Sequence, residues 1–389
     1  MRTAQFLFLL LFNLILSLPA QAIDDGNQNI RFATFNIAMG LQSEGELYQR
    51  LMSGDDEALR KVAAVIQKVR PDVLLLNEFD YFELDSAVLF IKNYLEIPQF
   101  GNDPISFPHA LNGAVNTGLN SGLDLNGNGI PGEPGDAWGF GKFPGQYGMM
   151  ILSRFQLSLE RSFRMFKWID MPGALLPLNT DGSSWYPEEI SKELRLSSKS
   201  HWDIKLDIDG QTIHFLVSHP TPPVFDGPED RNGARNYDEI RLWADYIDSR
   251  QSGYIYDDAG VEGGLPDGSK FVIAGDLNAD PDDGDSSGKA IMQLLGHPKI
   301  NASCVPLSEG AEEASREQGG KNLEHSGNPA ADTGDFNDEY TGNMRIDYVL
   351  PSKTLTVTAC GVFWPASDQP GHDLSDVSDH HLVWLDIEL

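Results

Sequence analysis

Residues 271–280 read FVIAGDLNAD, an apolar, strand-like run that stops on a carboxylate and an amide two positions apart. Side chains alternate along a strand, so Asp276 and Asn278 share one face and Leu277 takes the other. The pattern recurs. Asn36 closes IRFATFNI, Glu78 closes DVLLLNE and His219 closes HFLVSH; Asp347 lies inside RIDYVL, and Asp379 and His380 precede HLVWLDIEL. One polar residue at a strand end is usually a turn former. Repetition at so many strand ends points elsewhere, because buried carboxylates are costly unless paired or bound to metal. Carboxylate and amide oxygens suit a hard divalent cation, which screens a phosphate and polarises its oxygen. An aspartate can orient and deprotonate water, and a histidine held by another aspartate can serve as acid, base or phosphate donor. The residue types therefore point to metal-assisted phosphoryl transfer.

The elements that must position these groups follow from periodicity. Residues 30–37 alternate as a strand with Phe32, Thr34 and Asn36 on one face. Residues 57–70 form an amphipathic helix stopped by Pro71. Strand 72–78 places Glu78 on the face of Leu74 and Leu76, and 85–95 reads as a helix. Strand 147–153, a hairpin over 201–219 turning at Asp209-Gly210, a helix over 237–250, and strands over 345–350 and 381–389 follow. Three Gly-, Pro- or polar-rich stretches, 101–146, 161–200 and 308–343, are too long for ordinary connections and read as insertions. Strands and helices mix along the chain, so the class is α/β or α+β. Two sheets with helices outside would use every element. There is no internal repeat, and site candidates run from 36 to 380, which favours one domain over 23–389.

Arg2, the apolar stretch FLFLLLFNLILSLP and the small-residue end AQA at 20–22 make residues 1–22 a secretory signal peptide. The expected product is a soluble, secreted or periplasmic monomer without a membrane span. Removing 1–22 leaves 27 basic against 58 acidic residues, a formal charge of −31. That field repels nucleic acids and anionic membranes, and it suits divalent cations. Cys304 and Cys360 could pair in an exported protein or remain as two thiols. Their spacing offers no zinc site.

Taken together, Asn36, Glu78 in NE, His219 in SH, Asp276 and Asn278 in GDLN, Asp347 in RIDYVL, and Asp379 and His380 in SDH resemble the endonuclease/exonuclease/phosphatase superfamily, with its deoxyribonuclease-I-like fold. The resemblance covers nearly all of 23–389. It implies an α+β fold: a four-layer α/β/β/α sandwich of two mixed β-sheets flanked by helices. It also implies Mg²⁺ (or Mn²⁺) held chiefly by Glu78, with Asn36 and Asp379 nearby. Asp276 would position or activate water, Asn278 would hold the phosphate, and His219 would steady it or protonate the leaving oxygen. Asp347 would orient His380. Asp276 and the Asp347–His380 pair remain rivals for the base.

Two further stretches carry chemistry of their own. LDLNGNGIPGEPGD contains Asp124, Asn126, Asn128 and Gly129, the first half of a Ca²⁺ loop that Glu133 or Asp136 could close. A metal-free Asn-Gly turn is the alternative. RLSSKSHWD brings Arg195, Lys199 and His201 together in an acidic chain, either as substrate-phosphate contacts or as a solvated turn. Trp168, Trp185 and Tyr186 could stack on a substrate ring or pack their own loop. Arg235 and Arg241 are accounted for by helix-surface salt bridges. The leading reading is a phosphodiesterase or phosphatase acting on small or lipid-like phosphate esters. A non-specific extracellular nuclease stands next, and a non-catalytic calcium-dependent binding protein is the alternative of another class.

Overall fold

The computed structural model describes residues 29–83 and 85–389; the expected signal peptide lies outside the described residues. The first sheet contains β1 (Asn29–Met39), β2 (Val73–Phe79), β3 (His109–Asn112), β4 (Met149–Ser153), β10 (Thr356–Val362) and β11 (Val383–Glu388), in the order β10-β11-β1-β2-β4-β3. The second runs β5 (Gln156–Ser162), β6 (His201–Ile208), β7 (Gln211–Ser218), β8 (Lys270–Asp276) and β9 (Asp347–Pro351) in sequence order. Both are mixed: β1–β2 and β7–β8 are parallel, the other pairs antiparallel.

Alternation sorts the side chains into layers. Phe32, Leu75 and Ile151 from the first sheet meet Ile204, Phe215 and Val272 from the second in one buried layer, where the Phe32 and Phe215 rings lie 5.5 Å apart. The opposite face of the first sheet, with Ala33, Phe35, Leu74 and Leu76, packs on α1 (Glu46–Ser53), α2 (Glu57–Val69) and α3 (Ser86–Phe90). Asp56 caps α2 by accepting the Leu59 N–H. The outer face of the second sheet, with Leu216, Phe271, Ile273 and Leu350, packs on α5 (Arg231–Tyr246) through Ile240 and Trp243. The predicted four-layer sandwich is therefore observed.

Several elements escaped the sequence. β3, β5 and β10 are edge strands whose exposed positions hide any apolar alternation. Helix α5 starts six residues before its predicted start; its first turns bury Gly233, Ala234 and Asn236, which carry no large apolar side chain to mark a periodic face. The 161–200 stretch opens within β5 and then lays Phe163, Phe166, Trp168 and Leu196 against α5, around the short helix α4 (Glu188–Ser191). A second short helix, α6 (Met292–Leu295), joins the same layer, and α7 (Glu309–Gln318) lies inside 308–343. Cys304 and Cys360 form a disulfide that ties the chain after α6 to β10.

Candidate active site

At one end of the inner layer, the inward rows of both sheets turn polar. Asn36, Asn77, His219, Asp276 and Asp347 continue the rows of Phe32, Leu75, Phe215, Val272 and Val349. Asp276 and Asp347 are direct register partners across β8 and β9. Three nitrogens converge on Asp276 Oδ2: Asn36 Nδ2 at 3.0 Å, His219 Nε2 at 3.3 Å and His380 Nε2 at 3.7 Å. Asp276 Oδ1 accepts the Asn278 N–H at 3.0 Å, and the Asp276 N–H donates to Asn77 Oδ1. His380 is held from behind: Nδ1 lies 2.9 Å from Asp347 Oδ2, an oxygen that also accepts the Thr333 hydroxyl at 2.8 Å. Phe336 packs edge-on against the His380 ring.

The two site histidines are driven to opposite states. Burial pushes the His380 pKa down, but the Asp347 and Asp276 carboxylates outweigh it and hold the ring as imidazolium. Burial lowers the His219 pKa and the Lys199 charge lowers it further, so this ring stays neutral. Burial alone would raise Asp276; the His380 charge and the hydrogen bonds from His219 and Asn36 instead keep it well below the usual range. Burial and the charge of Asp276 raise Asp347. Titratable neighbours driven apart in this way are what acid–base chemistry needs.

Alternation alone would turn Glu78 toward the helices with Leu74 and Leu76. The left-handed backbone at Glu78 (φ 57°) breaks the alternation, and a bulge at Ala38 (φ 51°) accompanies it on β1. The Glu78 carboxylate consequently sits among Lys199, His219 and Asp80, whose pKa burial raises to about 7. Among the described residues no donor reaches the Glu78 carboxylate, and the buried Oδ1 of Asp347 lacks a partner. Ligand atoms of Asp276, Asp347 and His380 lie within 4.8 Å of one another, which could hold a metal ion. The set is buried, and its two carboxylates are the kind of oxygen donor a hard divalent cation takes. Asp379 is exposed beside the cluster, and its charge acts on His380.

The other expected residues divide. Asn278, also left-handed (φ 51°), donates Nδ2 to the Pro220 carbonyl at 3.2 Å, and Lys199 Nζ approaches the same oxygen at 3.4 Å. Arg195 does not join them: it bonds Asn116 Oδ1 at 2.6 Å and covers the Trp138 ring. His201 is also not a substrate contact. It faces α5, with Nδ1 on the Ser197 hydroxyl and Nε2 on the Glu239 carbonyl. Among the described residues Arg235 makes no salt bridge; it holds the carbonyls of Trp138, Arg195 and Leu196. Trp168 is core, its Nε1–H on Asp238, and Trp185 lies half-buried near Arg231.

In the 124–136 loop the oxygens expected to bind calcium accept N–H groups of the loop itself. Asp136 is fully buried, and its oxygens accept the N–H groups of Leu125, Asn126, Gly132 and Glu133. Asp124 accepts the Asn128 and Gly129 N–H groups, Asn126 Oδ1 accepts the Asn128 N–H, and the Asn128 amide donates to Glu133. These bonds hold the loop in shape, with Asp136 taken up by four backbone N–H groups. Four positioning residues went unread: Asn77, Thr333, Asn236 and Glu239. Asn236 Nδ2 donates to the carbonyls of Thr221 and Leu277. Such long-range contacts leave no periodic trace; only the polar inward face of α5 was a usable signal.

No curated protein is significantly similar to the chain. Among solved structures, the endonuclease/exonuclease/phosphatase from Beutenbergia cavernae is 19% identical with a TM-score of 0.49, over 93% of this chain and 72% of that one. Sphingomyelinase C from Streptomyces griseocarneus (14%, TM-score 0.47) and beta toxin from Staphylococcus aureus (14%, TM-score 0.45) each match over 92% of this chain and 99% of theirs. The Endonuclease/Exonuclease/phosphatase family profile matches residues 33–380, a span that takes in the whole cluster from Asn36 to His380. On that match the chain belongs to this family, whose members are hydrolases acting on phosphate esters.

Proposed function

We propose that the chain is an exported, metal-dependent phosphoesterase that hydrolyses phosphodiesters or phosphomonoesters through an activated water. The observation that carries this reading is the convergence of Asn36, His219 and His380 on one buried oxygen of Asp276. An ionised Asp276 is placed to orient water and take its proton. His380, kept as imidazolium by Asp347, is placed to donate a hydrogen bond to the phosphoryl group. His219 Nε2–H, facing the same oxygen, steadies that group or the leaving oxygen, and Asn278 holds the phosphate. A divalent ion held chiefly by Glu78, with Asn36 and Asp379 beside it, would screen the phosphate and polarise its oxygen. Export rests on the pattern of residues 1–22. The charge of −31 favours small or lipid-like esters over a polynucleotide.

The test is to strip the protein with a chelator, restore Mg²⁺, Mn²⁺ or Ca²⁺ separately, and assay a bis-aryl phosphate, an aryl phosphate and plasmid DNA. Turnover should vanish on chelation, return with Mg²⁺ or Mn²⁺, and be greater on the small esters than on DNA. A protein inert toward all three substrates with every metal would defeat the reading. DNA cleavage exceeding ester hydrolysis would favour the nuclease.

A further inference from the structure

Lys199 is only 7% exposed, yet a buried ammonium is costly unless something compensates it. Its hydrogen bond to the Pro220 carbonyl is long, 3.4 Å, and no carboxylate among the described residues reaches salt-bridge distance of Nζ. An ammonium carries three donors, so most of its capacity is uncommitted. Asn278 Nδ2 meets the same carbonyl at 3.2 Å, which puts both donors beside His219, the residue preceding Pro220. The carboxylates of Glu239, Glu78 and Asp276 favour the charged form of Lys199 against the burial that lowers its pKa. Two donors with spare capacity thus meet beside His219.

The loop that delivers Lys199 is braced on several sides. Glu239, fully buried on α5, accepts the Ser198 N–H on one oxygen and the Thr221 N–H on the other, each at 2.6 Å. One carboxylate thus ties the residue before Lys199 to the residue two beyond His219. The Asn116 N–H donates to the Lys199 carbonyl at 2.9 Å. Gly139 lies so close that a Cβ there would come within 1.9 Å of the Ser198 carbonyl oxygen. The bracing fixes one side chain, and what it fixes is an ammonium with spare donors.

We propose that Lys199 is a catalytic residue whose ammonium binds a non-bridging oxygen of the substrate's phosphoryl group, and that Glu239 is a positioning residue that clamps its loop to the loop of His219. The proposal rests on the phosphoesterase reading above. Wild type, K199M, K199R, E239Q and the K199M/E239Q double variant, each with Mg²⁺, would be compared for kcat and KM on a bis-aryl phosphate. Inhibition by inorganic phosphate and thermal melting would be measured alongside. Methionine keeps the buried stem and removes the charge, so K199M should melt at or above wild type. It should lose about 100-fold in kcat/KM and most of its phosphate inhibition. K199R should recover part of both. E239Q should lose about tenfold, mainly in kcat, and cost nothing more once Lys199 is gone. If K199M does not fold, the K199R comparison decides, since a purely structural lysine would leave K199R with wild-type phosphate inhibition. Lysine variants with wild-type turnover and phosphate inhibition overturn the assignment while leaving the phosphoesterase reading intact. A wild-type protein that neither hydrolyses an ester nor binds phosphate overturns both.

Discussion

His380 and His214 are each held by an aspartate through Nδ1, at 2.9 Å from Asp347 and 2.7 Å from Asp203. As isolated pairs they are equivalent, and the difference lies in what surrounds them. His380 Nε2 faces Asp276 and Asn36, and Asp347 keeps a buried oxygen without a partner. His214 lies on the outer side of the second sheet, and the second oxygen of its aspartate accepts the Tyr246 hydroxyl at 2.6 Å. The fold uses both oxygens of Asp203 and leaves Oδ1 of Asp347, behind His380, without a partner. A site is therefore marked less by a histidine–carboxylate pair than by buried polar capacity that the protein does not use itself.

His201 sharpens the contrast. It is buried as deeply as His380, yet the two pKa values move in opposite directions. Burial pushes His201 down to about 4, because its ring meets a hydroxyl and a carbonyl where His380 meets two carboxylates.

The largest expected effect is on turnover. Asp276→Asn or His380→Ala should cut kcat about a thousandfold on a bis-aryl phosphate, while His214→Ala leaves kcat and KM unchanged. The reverse result would break the comparison. Next comes acid sensitivity. His201 must stay neutral in the fold, so its contribution is complete above pH 6.5 and is lost as pH falls from 6.5 toward 4. The full loss is about 3 kcal/mol. Urea unfolding between pH 7 and pH 4.5 should show a shallower acid decline for His201→Asn than for wild type; parallel curves would contradict the assignment. The smallest effect is Asp203→Ala, which strands Tyr246 and His214 and should cost about 1–3 kcal/mol in urea with no change in kcat.

Much of the site was readable from strand parity. Phe32-Thr34-Asn36 and Val272-Ala274-Asp276 each stay on the inner face to their ends, as alternation requires. Parity also speaks against His201 as a member of the inner-layer site. In HWDIKLDI the apolar Trp202, Ile204, Leu206 and Ile208 face inward, which sends His201 and Asp203 to the α5 side. Parity failed at Glu78, where a left-handed residue reverses the expected face. It is silent on Thr333 and Glu239, which act through hydrogen bonds between distant stretches of chain. The expected calcium loop meets a related limit. A motif shows which oxygens are present, and the fold decides whether backbone N–H groups have already claimed them.

The Cys304–Cys360 bond closes a ring of chain that contains both Thr333 and Asp347, the two residues that grip each other behind His380. Closing a ring with a separation of 56 residues removes unfolded-chain entropy worth about 4 kcal/mol. A freshly made, still reduced polypeptide therefore lacks that support in the half of the molecule that sets the imidazole's direction. The reduced chain should therefore unfold at a lower urea concentration than the oxidised one, with the stretch from Thr333 to Asp347 opening earliest.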